Sequence, residues 1–478
     1  MIPLVIELAR AKLLCSNQIT GDFAAFSAAA KTALVDIRLM LDFEPRRQAA
    51  HTMAADLVAS HMRTAYSVPK NREYLRSGYS SEPIMAEGAA QQLREFRLQQ
   101  GRSVVLDILK DNFRTGLLNG GEMGELMGRD IVTEAYDRAV EKDHPHTFDS
   151  GRCYYSQGCY LTSLIEELFC PEIALQILNS IPDNVKSETT FQQAFRGAKV
   201  RFTHFGKMAD DTGTSTFSAW VSFVRCMAII PRSGQRAADC VLPVLLWDEE
   251  LREEVMTGVL IQWKNRGTEG TIQKYSIDER TIGFFPKAQT HIADPLTEDE
   301  RKRQERAATR PYVSLIMELG VQPGTSPAAV TSTKFLNPPK APPQSTDDIF
   351  STPSKLVLPR QGRFKYAVTT HPRYNIFVYG CSGTIFKGIT PADKASYALL
   401  LGSRDFLAEH PRQDKESLAA VRQQKPFFSG GDNSFHWVDE PLLRQIPKVL
   451  QERLIISGDK SGISDQGGLE EDVVMEDA

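Results

Sequence analysis

The run Val259-Leu-Ile-Gln-Trp-Lys264 is short and apolar, and it closes on two polar side chains two positions apart, Gln262 and Lys264. In a strand alternate side chains share a face, so the amide and the ammonium point the same way. Upstream, Ala237–Leu246 reads as a second strand that opens with an acidic residue, Asp239. Two neighbouring strands then offer a carboxylate, an amide oxygen and a lysine to one spot, a donor set suited to a divalent cation and a phosphodiester.

A third piece precedes both strands. Residues 121–137 read as a helix with Glu122, Glu125 and Arg129 closely spaced and with Leu126, Ile131, Val132 and Ala135 available for burial. The small Gly124 and Gly128 allow another element to come close. Glu125 and Arg129 are four apart, so a surface ion pair worth a few tenths of a kcal/mol is the competing use of that glutamate.

Helix, acidic strand and Gln-x-Lys strand in this order resemble the core of the PD-(D/E)xK, or restriction-endonuclease-like, nucleases. The resemblance implies an α/β fold with a mixed sheet flanked by helices, and a Mg²⁺ (or Mn²⁺) site. Asp239 would anchor the metal, Gln262 would give its side-chain oxygen, Trp263 its main-chain carbonyl, and Glu125 would complete the acidic wall. Lys264 would sit beside the attacking water. Many members carry Glu where this chain has Gln262, which supplies an oxygen without a charge. The phrases Phe202-Thr-His-Phe205, Phe377-Val-Tyr-Gly-Cys381 and Ser403-Arg-Asp-Phe-Leu-Ala-Glu-His-Pro-Arg412 are similar to those of fungal Crinkler-type proteins, in which a P-loop ATPase precedes such a nuclease region. No Gly-x-x-x-x-Gly-Lys-[Ser/Thr] occurs here, so the phosphate cradle is missing and the resemblance implies a truncated or split member, with the ATPase part either missing or supplied by another chain.

Composition bounds the alternatives. The 478 residues suffice for two or three domains, and 56 basic against 60 acidic side chains leave a net charge of −4. That balance argues against a protein that coats nucleic acid non-specifically, and leaves room for a local basic cleft. Seven cysteines without a Cys-x-x-Cys pair favour a reducing compartment over a disulfide framework. Cys153 and Cys159 with His144 and His146 fit no common zinc spacing. No run approaches 18 apolar residues, so no membrane segment is expected and the chain reads as intracellular, nuclear or cytoplasmic.

Along the chain, residues 1–116 read as a helical region, with stripes over Phe26–Leu41, Ala54–Tyr66 and Ala86–Phe96. The nuclease-like domain is expected over 117–321 and 364–440, with a helical insertion at 141–200. Candidate strands follow at Thr281–Phe285, Pro311–Leu319 and Tyr374–Tyr379. The Pro/Ser/Thr-rich stretch 322–363 and the acidic tail 458–478 read as disordered. A capped helix is expected from Thr390 to about His410. His204 and His371 have no nucleophile that the sequence pairs with them, and no Gly-x-Ser-x-Gly marks a serine hydrolase. The resemblance implies a metal-dependent nuclease or nuclease-derived effector that hydrolyses phosphodiester bonds of DNA, with a catalytically inactive nuclease fold acting as a protein-interaction module as the alternative.

Overall fold

The computed structural model describes residues 2–402 apart from 44–47, 69, 71–74, 119–121, 150–153, 209–213, 233–237, 247–249, 266–276, 286–296, 321–354 and 359–370. Chain contacts divide the protein into Met1–Arg404 and Asp405–Ala478. The described residues all belong to the first unit. The acidic tail and the segment 403–440, including Ser403–Arg412, lie outside them, as do most of the Pro/Ser/Thr-rich stretch, Cys153 and Trp247.

The first unit is α/β. Helices α1 (Ile2–Leu14), α2 (Ala28–Leu39) and α3 (Gln48–Ser60) lead to a hairpin, β1 (Thr64–Ser67) with β2 (Arg76–Gly78). The sequence predicts helix through Tyr66, but the stripe ends at Ser60 and Tyr66 lies on an exposed strand. Then come α4 (Pro83–Gln100), α5 (Val105–Arg114), α6 (Met123–Asp143) and α7 (Pro145–Asp149). The 141–200 stretch carries β3 (Cys159–Tyr160), α8 (Leu161–Leu168), α9 (Pro171–Leu178), α10 (Phe191–Ala194) and β4 (Lys199–Val200). It is not a purely helical insertion, because β3 and β4 extend the main sheet from β7.

The remaining elements build that sheet and cover it: β5 (His204–Lys207), α11 (Thr216–Val224), β6 (Met227–Ile230), β7 (Cys240–Leu245), β8 (Met256–Lys264), α12 (Glu279–Ile282), α13 (Glu298–Ala308), β9 (Tyr312–Glu318), β10 (Lys355–Val357), β11 (Arg373–Tyr379) and α14 (Lys394–Gly402). The strand order is β10-β11-β9-β8-β7-β4-β3, with β6 also on β7 and β5 on β6. β7 and β8 are antiparallel, whereas β8, β9 and β11 run parallel. Two expectations are corrected. Thr281–Phe285 falls on helix α12 and a turn at Gly283 (φ 66°), a left-handed position that favours glycine and stops a strand. Lys355–Val357, inside the stretch expected to be disordered, pairs with β11 as an edge strand.

Both sheet faces are buried, which is why the central strands read as continuous apolar runs. One face presents Cys240, Leu242, Val259, Ile261, Trp263, Val313, Leu315 and Ile376 to α6 and the N-terminal helices. The other presents Val241, Leu245, Leu260, Ile316 and Phe377 to α11 and to Phe284 and Phe285. Leu13, Leu34 and Phe96 belong to the same core as Trp263, so residues 1–116 form a layer of the domain and have no separate core.

Buried ion pairs tie this layer together: Arg63 with Asp36, and Arg38 with Asp137 at 2.6 Å. Burial pushes both carboxyls up to about 6, further than Arg63 and Arg38 pull them down. The folded state thus holds these protons more tightly than the unfolded chain. Their contribution to stability is complete below pH 4 and is lost as the pH rises through 6. The stability difference between wild type and Asp137→Asn, from urea midpoints, should move in the variant's favour between pH 4 and 7. A constant difference would contradict the assignment.

Helix α6 lies directly on β8. A Cβ added to Gly128 would fall 2.2 Å from Cδ1 of Trp263, and one added to Gly124 would fall 2.3 Å from Cβ of Asn265. Overpacking of this kind costs about 1–3 kcal/mol, against a helix-propensity gain of at most about 1 kcal/mol for alanine over glycine. Gly128→Ala should therefore lower the urea midpoint. Gly402→Ala, at a helix end with nothing within 4 Å, should leave it unchanged or raise it.

Candidate active site

The candidate residues are delivered by α6 and the β7–β8 hairpin. Cys240 pairs with Ile261 in antiparallel register, and the Asp239 N–H donates to the carbonyl of Ile261 at 2.8 Å. Asp239 is thus a bend residue just before the paired register, and Gln262 points away from the Trp263 indole by alternation along β8. Lys264 shares the face of Gln262 by alternation, and its Nζ lies 3.5 Å from Oδ2 of Asp239. The same Oδ2 accepts the backbone N–H of Trp263 at 2.7 Å, which fixes the carboxylate against the end of β8. The indole of Trp263 and the Asn265 side chain point the other way, under α6.

Glu125 sits in the first turn of α6 and meets Asp239 across a cleft of about 160 Å³. Asp42, Glu122, Arg129, Lys207 and Arg232 complete the polar lining of this cleft. Gln262 is buried (4 % exposed) and does not line it; neither does Lys264. The structure thus brings Asp239 together with Lys264 on one side and with Glu125 on the other, while Gln262 is buried within the sheet.

Electrostatics follow from this crowding. Burial, and then the nearby charge of Asp239, raise Glu125 above the ordinary glutamate range, and Arg129, Lys264 and Lys207 pull it down less strongly. Burial and Asp42 raise Glu122 in the same way. Arg129 is itself buried, and its Nη1 donates to the carbonyls of Leu39 and Met40 at 2.6 and 2.7 Å. It thereby ties the C-terminus of α2 to α6, and Met40 adopts a left-handed conformation (φ 53°) at the cleft wall. Arg129 is not the surface partner of Glu125 that their spacing suggests.

Lys207 and Arg232 were not legible as site residues. Lys207 closes the short strand β5 and Arg232 follows β6, and the pairing of β5 with β6 brings Lys207 beside Arg232 at the cleft. His204 gains the partner that the sequence withholds. Ser81 Oγ lies 2.9 Å from its Nε2, and Thr203 Oγ1 lies 3.1 Å from its Nδ1. Burial, Arg38 and Arg225 push His204 down to about 3, so it is a neutral bridge from the loop before α4 to β5, too weak a base for proton transfer near neutral pH. His371 stacks on Phe285 at 3.7 Å and bonds the carbonyl of Arg310, a packing role.

The described cysteines are all free thiols. Among the described residues no group of three or more His, Cys, Asp or Glu side chains could hold a metal ion. A metal at the cleft would therefore rest on Asp239 and Glu125 with water completing its shell. Mg²⁺ accepts that arrangement, since it binds through one or two carboxylates and keeps several waters. No helix among the described residues is long and apolar enough to cross a membrane.

Residues 28–149 match a family model described as a domain of unknown function, DUF8736. The matched span runs from α2 to α7 and contains Glu122, Glu125 and Arg129, but not the β7–β8 hairpin. No curated protein and no solved structure matches the chain.

Proposed function

We propose that the end of the β7–β8 hairpin is a nuclease-type site of the PD-(D/E)xK kind that hydrolyses phosphodiester bonds, with DNA as the substrate. The observation that carries this reading is the contact of Lys264 with Asp239 across adjacent strands, with Glu125 of an earlier helix on the same cleft as that aspartate. Two carboxylates can hold a divalent cation that activates water, and a lysine beside them can stabilise charge on a phosphate, which supports a phosphodiester-hydrolysing reading. The mixed sheet with helices on both faces suits a restriction-endonuclease-like core.

In this reading Asp239 and Glu125 provide the oxygen ligands for Mg²⁺ or Mn²⁺. A bound divalent cation would polarise the phosphate and lower the pKa of the attacking water. The Trp263 N–H holds Asp239 in place. Lys264 orients the water and stabilises the charge that builds on the phosphate oxygens. Gln262, buried on β8, has an amide and no charge, so metal affinity falls on the two carboxylates.

One observation favours a second reading, an inactive nuclease fold acting as an interaction module: the Lys264 ammonium already neutralises Asp239. Plasmid nicking in Mg²⁺ or Mn²⁺ separates the two. The active site predicts that Lys264→Ala and Asp239→Asn each lower nicking by about 10² to 10⁴ fold. Asn at 239 keeps an acceptor for the Trp263 N–H, so that variant should stay folded. Equal cleavage by wild type and both variants would assign the activity elsewhere, and no cleavage by the wild type would favour the module.

A further inference from the structure

The geometry points to Lys207 and Arg232 as the side chains that hold the phosphates flanking the bond to be cut. The ligand recognised at this rim is then the charged backbone of a nucleic-acid strand. This inference rests on the nuclease reading of the cleft and adds the surface by which a strand would reach it.

The placement comes from strand direction. β5 and β6 are parallel, with Lys207 in register with Ile230, and the Met208 N–H continues the ladder to the Ile230 carbonyl. Parallel neighbours finish at the same end of a sheet. Lys207 closes β5 and Arg232 follows β6 by two residues, so both cations arrive at the rim where Asp239 precedes β7. Helix α6 brings Glu122 and Glu125 to that rim.

Charge explains why cations are needed there. Four carboxylates, Asp42, Glu122, Glu125 and Asp239, line the cleft and repel a polyanion. Arg129 is committed to the carbonyls of Leu39 and Met40 inside the fold. The side chains of Lys207 and Arg232 are solvent-exposed. The contact of Lys207 with Asp42 is loose, 3.9 Å between side chains 44 % and 53 % exposed. A pair of that kind contributes little, so the lysine can exchange Asp42 for a phosphate at small cost.

The test is binding without cleavage. A fluorescein-labelled 20-base-pair DNA duplex is titrated with full-length protein in EDTA, and anisotropy is followed between 50 and 200 mM KCl. Each phosphate contact contributes roughly 0.9 to the slope of log affinity against log salt. The double variant Lys207→Gln/Arg232→Gln should bind more weakly and lose a slope of about 2. Arg301→Gln/Lys302→Gln on α13, both about 60 % exposed, changes net charge equally and should leave the slope as in wild type. Equal slopes for wild type and the Lys207/Arg232 variant overturn the inference, as does the absence of salt-dependent binding by wild type. Loss of slope in a protein that never nicks plasmid upholds this surface and removes only the cleavage reading. Nicking with an unchanged slope does the reverse.

Discussion

The seating of α6 on β8 is the constraint on which the rest of the structure depends. Gly128 and Gly124 leave no room for a Cβ against Trp263 and Asn265, so the helix packs closely on the strand. That contact fixes the N-terminal turn of α6, and with it Glu125, against the rim where Asp239 precedes β7. Arg129, one turn further along, locks the same helix to the end of α2 through two carbonyls. Position and charge at the cleft are therefore set by backbone-level contacts that a flexible side chain could not replace.

From this seat the layers follow. The sheet is covered on one face by α6 and the N-terminal helices and on the other by α11 and the Phe284–Phe285 turn. The parallel trio β8-β9-β11 needs cover on both faces, and the chain supplies it from segments far apart in sequence. Some of the charged groups in this interior are paired. Arg373, for example, bonds Asp183 through Nε and Nη2 at 2.9 and 3.1 Å, with both side chains 1 % exposed. Unmade, such a buried charge would cost several kcal/mol, so the arrangement specifies the fold strongly even where it adds little net stability.

Much of this was legible in the sequence where the signal was local. The apolar runs at Val259–Lys264, Pro311–Leu319 and Tyr374–Tyr379 are strands because they are buried on both faces. The Gly124/Gly128 pair marked a close approach before any partner was known. Three readings failed for identifiable reasons. Ala54–Tyr66 kept a helical period in composition while tertiary pairing took Thr64–Ser67 into a hairpin. Thr281–Phe285 carried β-forming residues around a glycine that needs a positive φ. Lys355–Val357 was hidden in a stretch whose composition argues for disorder, yet an unpaired edge of β11 accepts it. The site divides in the same way: Asp239, Lys264 and Glu125 were readable as an ordered set, but Lys207 and Arg232 become neighbours of that set only through the β5–β6–β7 pairing.

The most direct measurement is isothermal titration of Mn²⁺ into purified wild type, Glu125→Gln and Asp239→Asn. A cleft built on these two carboxylates predicts one cation site in the wild type that weakens or disappears in each variant while the fold, followed by circular dichroism, is retained. Absence of binding in the wild type, or the same binding in all three proteins, would contradict a metal-dependent site at the α6 and β7–β8 junction.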